Sequence, residues 1–212
     1  MVDIAVIDYG MGNLRSVHHA LGTVAPNSSI VVTSDPEVVA SAGRVVFPGQ
    51  GAMPDCMREL DARNLRNAVV DAAKNKPFLG ICIGLQMLFE HSTEGDVPCL
   101  GVLPGRVVRF AHDLHDKQGN RLKVPHMGWN QVHHGKDHAM WQDIAQDERF
   151  YFVHSYYVQT DDASLVQAES DYPEPFVCAV ARANLFAVQF HPEKSHTAGL
   201  QLLKNFVSWN PV

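Results

Sequence analysis

Short apolar runs, separated by longer polar stretches with helical spacing, organise the first half of the chain. Ile4 to Ile7, Ile30-Val31-Val32, Arg44-Val45-Val46-Phe47 and the stretch Lys76 to Ile81 each have the length of a buried strand. Between them, Asn13 stands where it can cap a helix running to about Gly22, Asp35-Pro36-Glu37 opens a short helix, and Leu60 to Ala73 carries another. Leu85, Leu88 and Phe89 follow the fourth run at helical spacing. Strands alternating with helices predict a parallel arrangement. The pattern then changes to Arg106–Phe110, Phe150–Val153, Leu165–Ala168 and Phe176–Val180, joined by polar turns, which predicts antiparallel strands. Phe186–Phe190 reads as a further strand, and Thr197 to Trp209 as an amphipathic closing helix with Leu200, Leu203, Phe206 and Val207 on its apolar stripe. The expected fold is α/β: an open mixed, mostly parallel sheet flanked by helices, with extra antiparallel strands in the second half and one domain spanning 1–212.

Composition narrows the function classes. With 212 residues and 46% hydrophobic positions the chain can bury a sizeable core. A formal net charge of -6 and the lack of any Lys/Arg-rich run speak against a nucleic-acid partner. No run of apolar residues is long enough to span a membrane, and the start Met1-Val2-Asp3-Ile4 lacks the basic residues of a secretory signal, so a cytoplasmic location is expected. Cys56, Cys82, Cys99 and Cys178 lie far apart, which suits reduced thiols better than a disulfide framework or a zinc cage. Among the twelve histidines, His112/His115 and His133/His134/His138 lie in polar stretches without clustered acidic or cysteine ligands, so no metal site is expected. Tyr9-Gly10-Met11-Gly12-Asn13 lacks the full spacing and the lysine of a phosphate cradle, and no cofactor is expected.

The chemistry concentrates in two motifs. Gly80-Ile81-Cys82-Ile83-Gly84 sits at a strand-to-helix junction, where glycines two positions to either side of Cys82 remove side chains that would collide in a tight turn. It reads as a sulfur version of the nucleophile elbow. The second motif, His191-Pro192-Glu193, follows an apolar run. On extended chain, residues two apart point the same way, so Glu193 can orient His191 while the imidazole moves protons. A third segment, Pro48-Gly49-Gln50-Gly51, can turn a backbone amide inward to bind an oxyanion together with the amide of Ile83.

These segments, with Gln86 behind the elbow, resemble the class I (triad) glutamine amidotransferases, and the match runs over nearly the whole chain. Further stretches resemble the branch of that family that works in histidine biosynthesis: Ile7-Asp8-Tyr9-Gly10-Met11-Gly12-Asn13-Leu14, Val124 to Asn130, Phe152-Val153-His154-Ser155-Tyr156 and His191 to Ser195. The resemblance implies a flavodoxin-like fold and a glutaminase mechanism, with Cys82 as nucleophile, His191 as base and Glu193 as its orienting partner. It implies an oxyanion hole from Gln50 or Gly51 and Ile83, and glutamine binding by Gly51, Gln86, Glu94, Ser155 and Tyr156. It also implies a heterodimer with a cyclase subunit built as a (βα)8 barrel, met near Met11, Asn13, Tyr151 and Lys194. The chain departs from many members in carrying Gln50 where they have a small aliphatic residue. An amidotransferase serving another pathway, a cysteine hydrolase of similar fold and a non-catalytic binding module are the competing readings. The complete set of residues at 82, 191 and 193 speaks against the last.

Overall fold

Cys82 lies at the carboxyl end of a parallel sheet because the apolar runs before it are strands, buried except for the run at Ile30–Thr33, which forms the sheet edge and leaves Val32 exposed. The computed structural model describes residues 2–211. Strands β1 (Ile4–Ile7), β2 (Ile30–Thr33), β3 (Arg44–Gly49) and β4 (Phe78–Cys82) alternate with helices α1 (Leu14–Val24), α2 (Pro36–Ser41), α3 (Met53–Ala62) and α4 (Arg66–Asn75). After β4 come the short helix α5 (Ile83–Gln86), β5 (His91–Ser92), β6 (Val97–Pro98), β7 (Arg106–Arg109), β8 (His126–Gln131) and β9 (His133–His134). The chain continues through β10 (Arg149–His154), β11 (Tyr156–Gln159), β12 (Val166–Asp171), β13 (Pro175–Arg182), β14 (Leu185–Val188) and α6 (His196–Ser208).

The sheet is mixed, as the sequence predicts. Its parallel portion runs β2-β1-β3-β4-β14, and β13, β11 and β7 extend it through antiparallel pairs. Strands β1, β4 and β14 are buried along their whole length, which accounts for apolar runs without alternation. Helix α1 packs with α6, and α2 with α4. Strands β8 and β10 form a separate antiparallel pair that stands over the site.

Four expectations need correction. The helix expected over Leu60 to Ala73 is two helices, α3 and α4, parted at Asn64, whose φ of 56° is left-handed. Asn13 occupies the start of α1 but makes no side-chain cap, because its amide is drawn toward Glu193. The helix after Cys82 is a single turn, so Leu88 and Phe89 lie beyond it. Pro192 does not continue an extended chain: Pro192–Lys194 is a 3-10 turn, for which proline's fixed φ is preorganised. By contrast Asp35 caps α2 as expected, its carboxylate accepting from the Glu37 amide at 2.8 Å.

Candidate active site

Cys82 takes φ 56° and ψ -109°, a conformation that costs a non-glycine residue on the order of 1–3 kcal/mol. The surroundings leave no alternative. A Cβ added at Gly84 would lie 1.8 Å from the carbonyl oxygen of Phe47, and one at Gly80 would lie 3.0 Å from the Cβ of Ala187. The two glycines thus let α5 start against β3 and let β4 lie close to β14. At Gly49 an added Cβ would meet the Tyr9 hydroxyl and the Cβ of Ile83, so the loop after β3 is pressed directly against the elbow.

The candidate base arrives from the neighbouring strand. Because β14 pairs with β4 in parallel, with Val188 opposite Ile81, the chain leaving β14 passes alongside Cys82. His191 is buried, and its Nδ1 lies 2.8 Å from Glu193 Oε1, itself within 3.4 Å of the Asn13 amide. Although the residues from 191 to 193 are not extended, the 3-10 turn still carries the carboxylate to the imidazole. Ser195 braces the turn: its hydroxyl donates to the His191 carbonyl at 2.6 Å and accepts from the Tyr151 amide at 3.0 Å. The His191 amide donates to the Tyr151 carbonyl at 2.9 Å. Burial disfavours the imidazolium, but the neighbouring Cys82 sulfur and the Glu193 carboxylate outweigh it and raise His191 to about 10. Its Nε2 is buried without a hydrogen bond of ordinary geometry, as is Oε2 of Glu193.

A cleft of about 420 Å³ opens onto the sulfur. Gln50, Gly51, Cys82, Ile83, Gln86, Glu94, Ser155, Tyr156, His191 and Lys194 all line it, so the fold gathers the expected nucleophile, base, oxyanion and substrate positions around one space. Glu193 stands behind His191. Glu94 is tied to the start of α3, its Oε2 accepting from the Met53 amide at 2.9 Å. The Gln50 carbonyl accepts from the Cys56 thiol at 3.5 Å, and Gly51 has φ 114°, which favours glycine. Of the positions expected at a subunit contact, Lys194 lines the cleft and the others touch residues of the site: the Met11 methyl lies where a Cβ on Gly51 would stand, Asn13 touches Glu193, and Lys194 Nζ lies 6.0 Å above the Tyr151 ring.

Sequence reasoning missed Pro125, Val153 and His154 in the lining, and also Gln189 behind it. Gln189 is fully buried and its Nε2 lies 3.6 Å from Cys82 Sγ. Its signal was a lone amide inside the apolar run before His191. His154 belongs to a buried relay: Asn130 contacts His126 Nε2 at 3.3 Å, His126 Nδ1 contacts His154 Nε2 at 3.0 Å, and His154 Nδ1 contacts the Tyr156 carbonyl at 2.9 Å. Since the carbonyl can only accept, His154 carries its proton on Nδ1, and His126 then donates to it. Burial pushes His126 down to about 4 and His154 to about 3, so both rings are neutral at pH 7. A buried thiol beside a carboxylate-paired imidazole, opening on a cleft roomy enough for an amino acid, is equipped for acyl transfer through a thioester.

Comparison with known proteins agrees with that chemistry. The model of the family described as "Glutamine amidotransferase class-I" matches residues 5–209. Imidazole glycerol phosphate synthase subunit HisH of Aromatoleum aromaticum is 67% identical over 212 residues, covering 100% of both chains. The protein of the same name from Thiobacillus denitrificans is 66% identical over 211 residues, covering 99% of this chain and 92% of the relative. Among solved structures, a glutamine amidotransferase superposes with a TM-score of 0.72 at 16% identity, covering 96% of each chain. A chain of the PurLQS structure from Thermotoga maritima superposes at 0.66 with 18% identity, covering 98% of each. Those two likenesses concern the fold. With the family pattern running almost from end to end, the chain belongs to the class I glutamine amidotransferases.

Proposed function

We propose that this chain is the glutaminase subunit of an imidazole glycerol phosphate synthase, releasing ammonia from glutamine for a cyclase subunit in histidine biosynthesis. The observation that carries the reading is the buried His191–Glu193 pair, 2.8 Å apart, beside a cysteine held on a strained elbow. Because the Cys82 sulfur and Glu193 hold His191 protonated, Nε2 already carries the proton given up by Cys82 when the sulfur attacks the side-chain amide carbon of glutamine. The C–S bond forms as the carbonyl becomes an oxyanion, which the amides of Ile83 and of Gln50 or Gly51 stabilise. His191 returns the proton to the leaving nitrogen, the C–N bond breaks, and ammonia departs from a thioester. Water, deprotonated by the same imidazole, then releases glutamate and restores the thiol. Glu193 holds His191 with Nδ1 protonated and Nε2 facing the reaction.

Gly51, Gln86, Glu94, Ser155 and Tyr156 hold the glutamine. Both contacts of the Gln86 amide nitrogen are taken by protein acceptors, whereas its Oε1 is buried and unpaired, so any bond Gln86 makes to substrate is one it accepts. Ammonia released into water at neutral pH is protonated and no longer nucleophilic. The reaction therefore calls for a covered route into a (βα)8 cyclase that makes imidazole glycerol phosphate and an aminoimidazole carboxamide ribotide. We assign Met11, Asn13, Tyr151 and Lys194 to the face such a partner would cover, next to the exposed Trp129, whose ring centroid lies 6.1 Å from that of Tyr151. No helix among the described residues is long and apolar enough to cross a membrane. A cytoplasmic location belongs to the same proposal, and four unbridged cysteines fit it.

The deciding experiment is Cys82→Ala assembled with the cyclase. Glutamine-dependent synthesis should fall by at least about 10⁴-fold while synthesis from ammonium salts persists. Loss of both activities would mean that Cys82 is structural, and survival of both would remove it from the chemistry.

A further inference from the structure

Gln189 has no part in the three-residue mechanism, yet it touches the reacting sulfur. Its Nε2 lies 3.6 Å from Cys82 Sγ, a hydrogen-bond distance for sulfur. Its Oε1 accepts from Gln86 Nε2 at 2.9 Å, and the same nitrogen donates to the Tyr156 carbonyl at 2.9 Å. The far end of this chain fixes its direction. A peptide carbonyl can only accept, so Gln86 must present its NH2 group to Tyr156. That group then requires an oxygen from Gln189, which leaves the Gln189 NH2 group for the sulfur. Turning over either side-chain amide would set oxygen against oxygen or N–H against N–H. All three side chains are buried, so water does not relax these demands.

We propose that Gln189 is a second polar partner of the nucleophile, an N–H donor that holds the Cys82 sulfur once His191 has removed its proton, with its polarity imposed by the Tyr156 carbonyl through Gln86. The proposal rests on the thiol-nucleophile reading above and adds a residue to it. A hydrogen bond to a charged acceptor is worth more than one to a neutral acceptor, so the donor favours the state in which sulfur attacks. It also ties the sulfur to a residue of the substrate cleft, since Gln86 lines that cleft and Gln189 does not.

The test compares wild type with Gln189→Met and Gln189→Glu, each assembled with the cyclase. Methionine keeps the length without the donor. Glutamate keeps the acceptor for Gln86 and sets a carboxylate against the sulfur. For the Met variant, glutamine-dependent kcat should fall about 10–100-fold with KM within about twofold, while ammonia-dependent synthesis is unchanged. The pH at which alkylation of Cys82 by iodoacetamide reaches half its maximal rate, followed on the Cys82 peptide by mass spectrometry, should rise by about one pH unit, and further in the Glu variant. Should the Met variant fail to assemble, the Glu variant carries the test. A folded variant with unchanged kcat and an unmoved midpoint would make Gln189 a core amide and overturn the proposal. If wild type fails to hydrolyse glutamine while the midpoints still move in order, the glutaminase reading fails and the donor role stands.

Discussion

The two halves of the site are held by opposite means. Cys82 is fixed by exclusion: its backbone is strained, Gly80 and Gly84 lie against neighbouring backbone and side chain, and β4 is walled in by β3 and β14. His191 is fixed by bonding: Glu193, Ser195 and the backbone of Tyr151 hold it through three short polar contacts, and a fourth ties Ser195 to the Tyr151 amide. Exclusion is all or none and insensitive to pH. Bonding is graded, and it titrates.

Gly84→Ala should have the largest effect of any single change at the elbow. Its new Cβ would lie 1.8 Å from a backbone oxygen that cannot swing away, so a loss of more than about 3 kcal/mol in denaturant unfolding is expected, together with glutaminase activity. A variant destabilised by less than about 1 kcal/mol would show that the elbow can relax, and the contrast would dissolve.

Ser195→Ala tests the other half. It removes the donor to the His191 carbonyl and the acceptor for the Tyr151 amide, at an expected cost of about 1–3 kcal/mol. Because Glu193 remains, kcat should fall partially while KM for glutamine holds. Complete loss of activity would place the base, too, under all-or-none control.

The smallest effect near neutrality is electrostatic and carries a sign. His126 and His154 ionise near 6.5 in the unfolded chain but only at about 4 and about 3 when folded. Their stabilisation is complete above pH 6.5 and drains away as the pH falls toward those values, because the unfolded state then binds more protons. His191, raised to about 10, acts in the opposite direction: its contribution is full below 6.5 and is lost as the pH rises through 10. Denaturant midpoints measured from pH 4 to 10 should therefore peak between the two. His154→Gln should flatten the acid limb only, and an unchanged limb would show that this pair does not set it.

The elbow was legible because its cause is local: a cysteine between two glycines after an apolar run says where backbone must crowd backbone. The alternation of β1, β3 and β4 with helices was legible for a similar reason, since burial on both faces leaves uninterrupted apolar runs, and the edge strand β2 is as apolar although only partly buried. The break at Asn64 carried no periodic signal, because asparagine enters the left-handed region without disturbing the apolar stripe on either side. Strand β8 carries no strand signal in the sequence because its pairing with β10 is non-local and its His, Gly, Asn and Gln break any apolar run. Gln189 escaped for a related reason, since an amide inside a strand-like run acquires its meaning only when residue 82 arrives beside it.

Strands β4 and β14 are immediate neighbours, yet nearly everything that distinguishes this protein from a bare parallel sheet lies on the long detour between them. That detour builds the antiparallel extension of the sheet through β7, β11 and β13 and then returns to the edge of β4. Evolution can lengthen, trim or re-decorate it to suit a new ammonia consumer, with the reactive pair staying where two adjoining strands end.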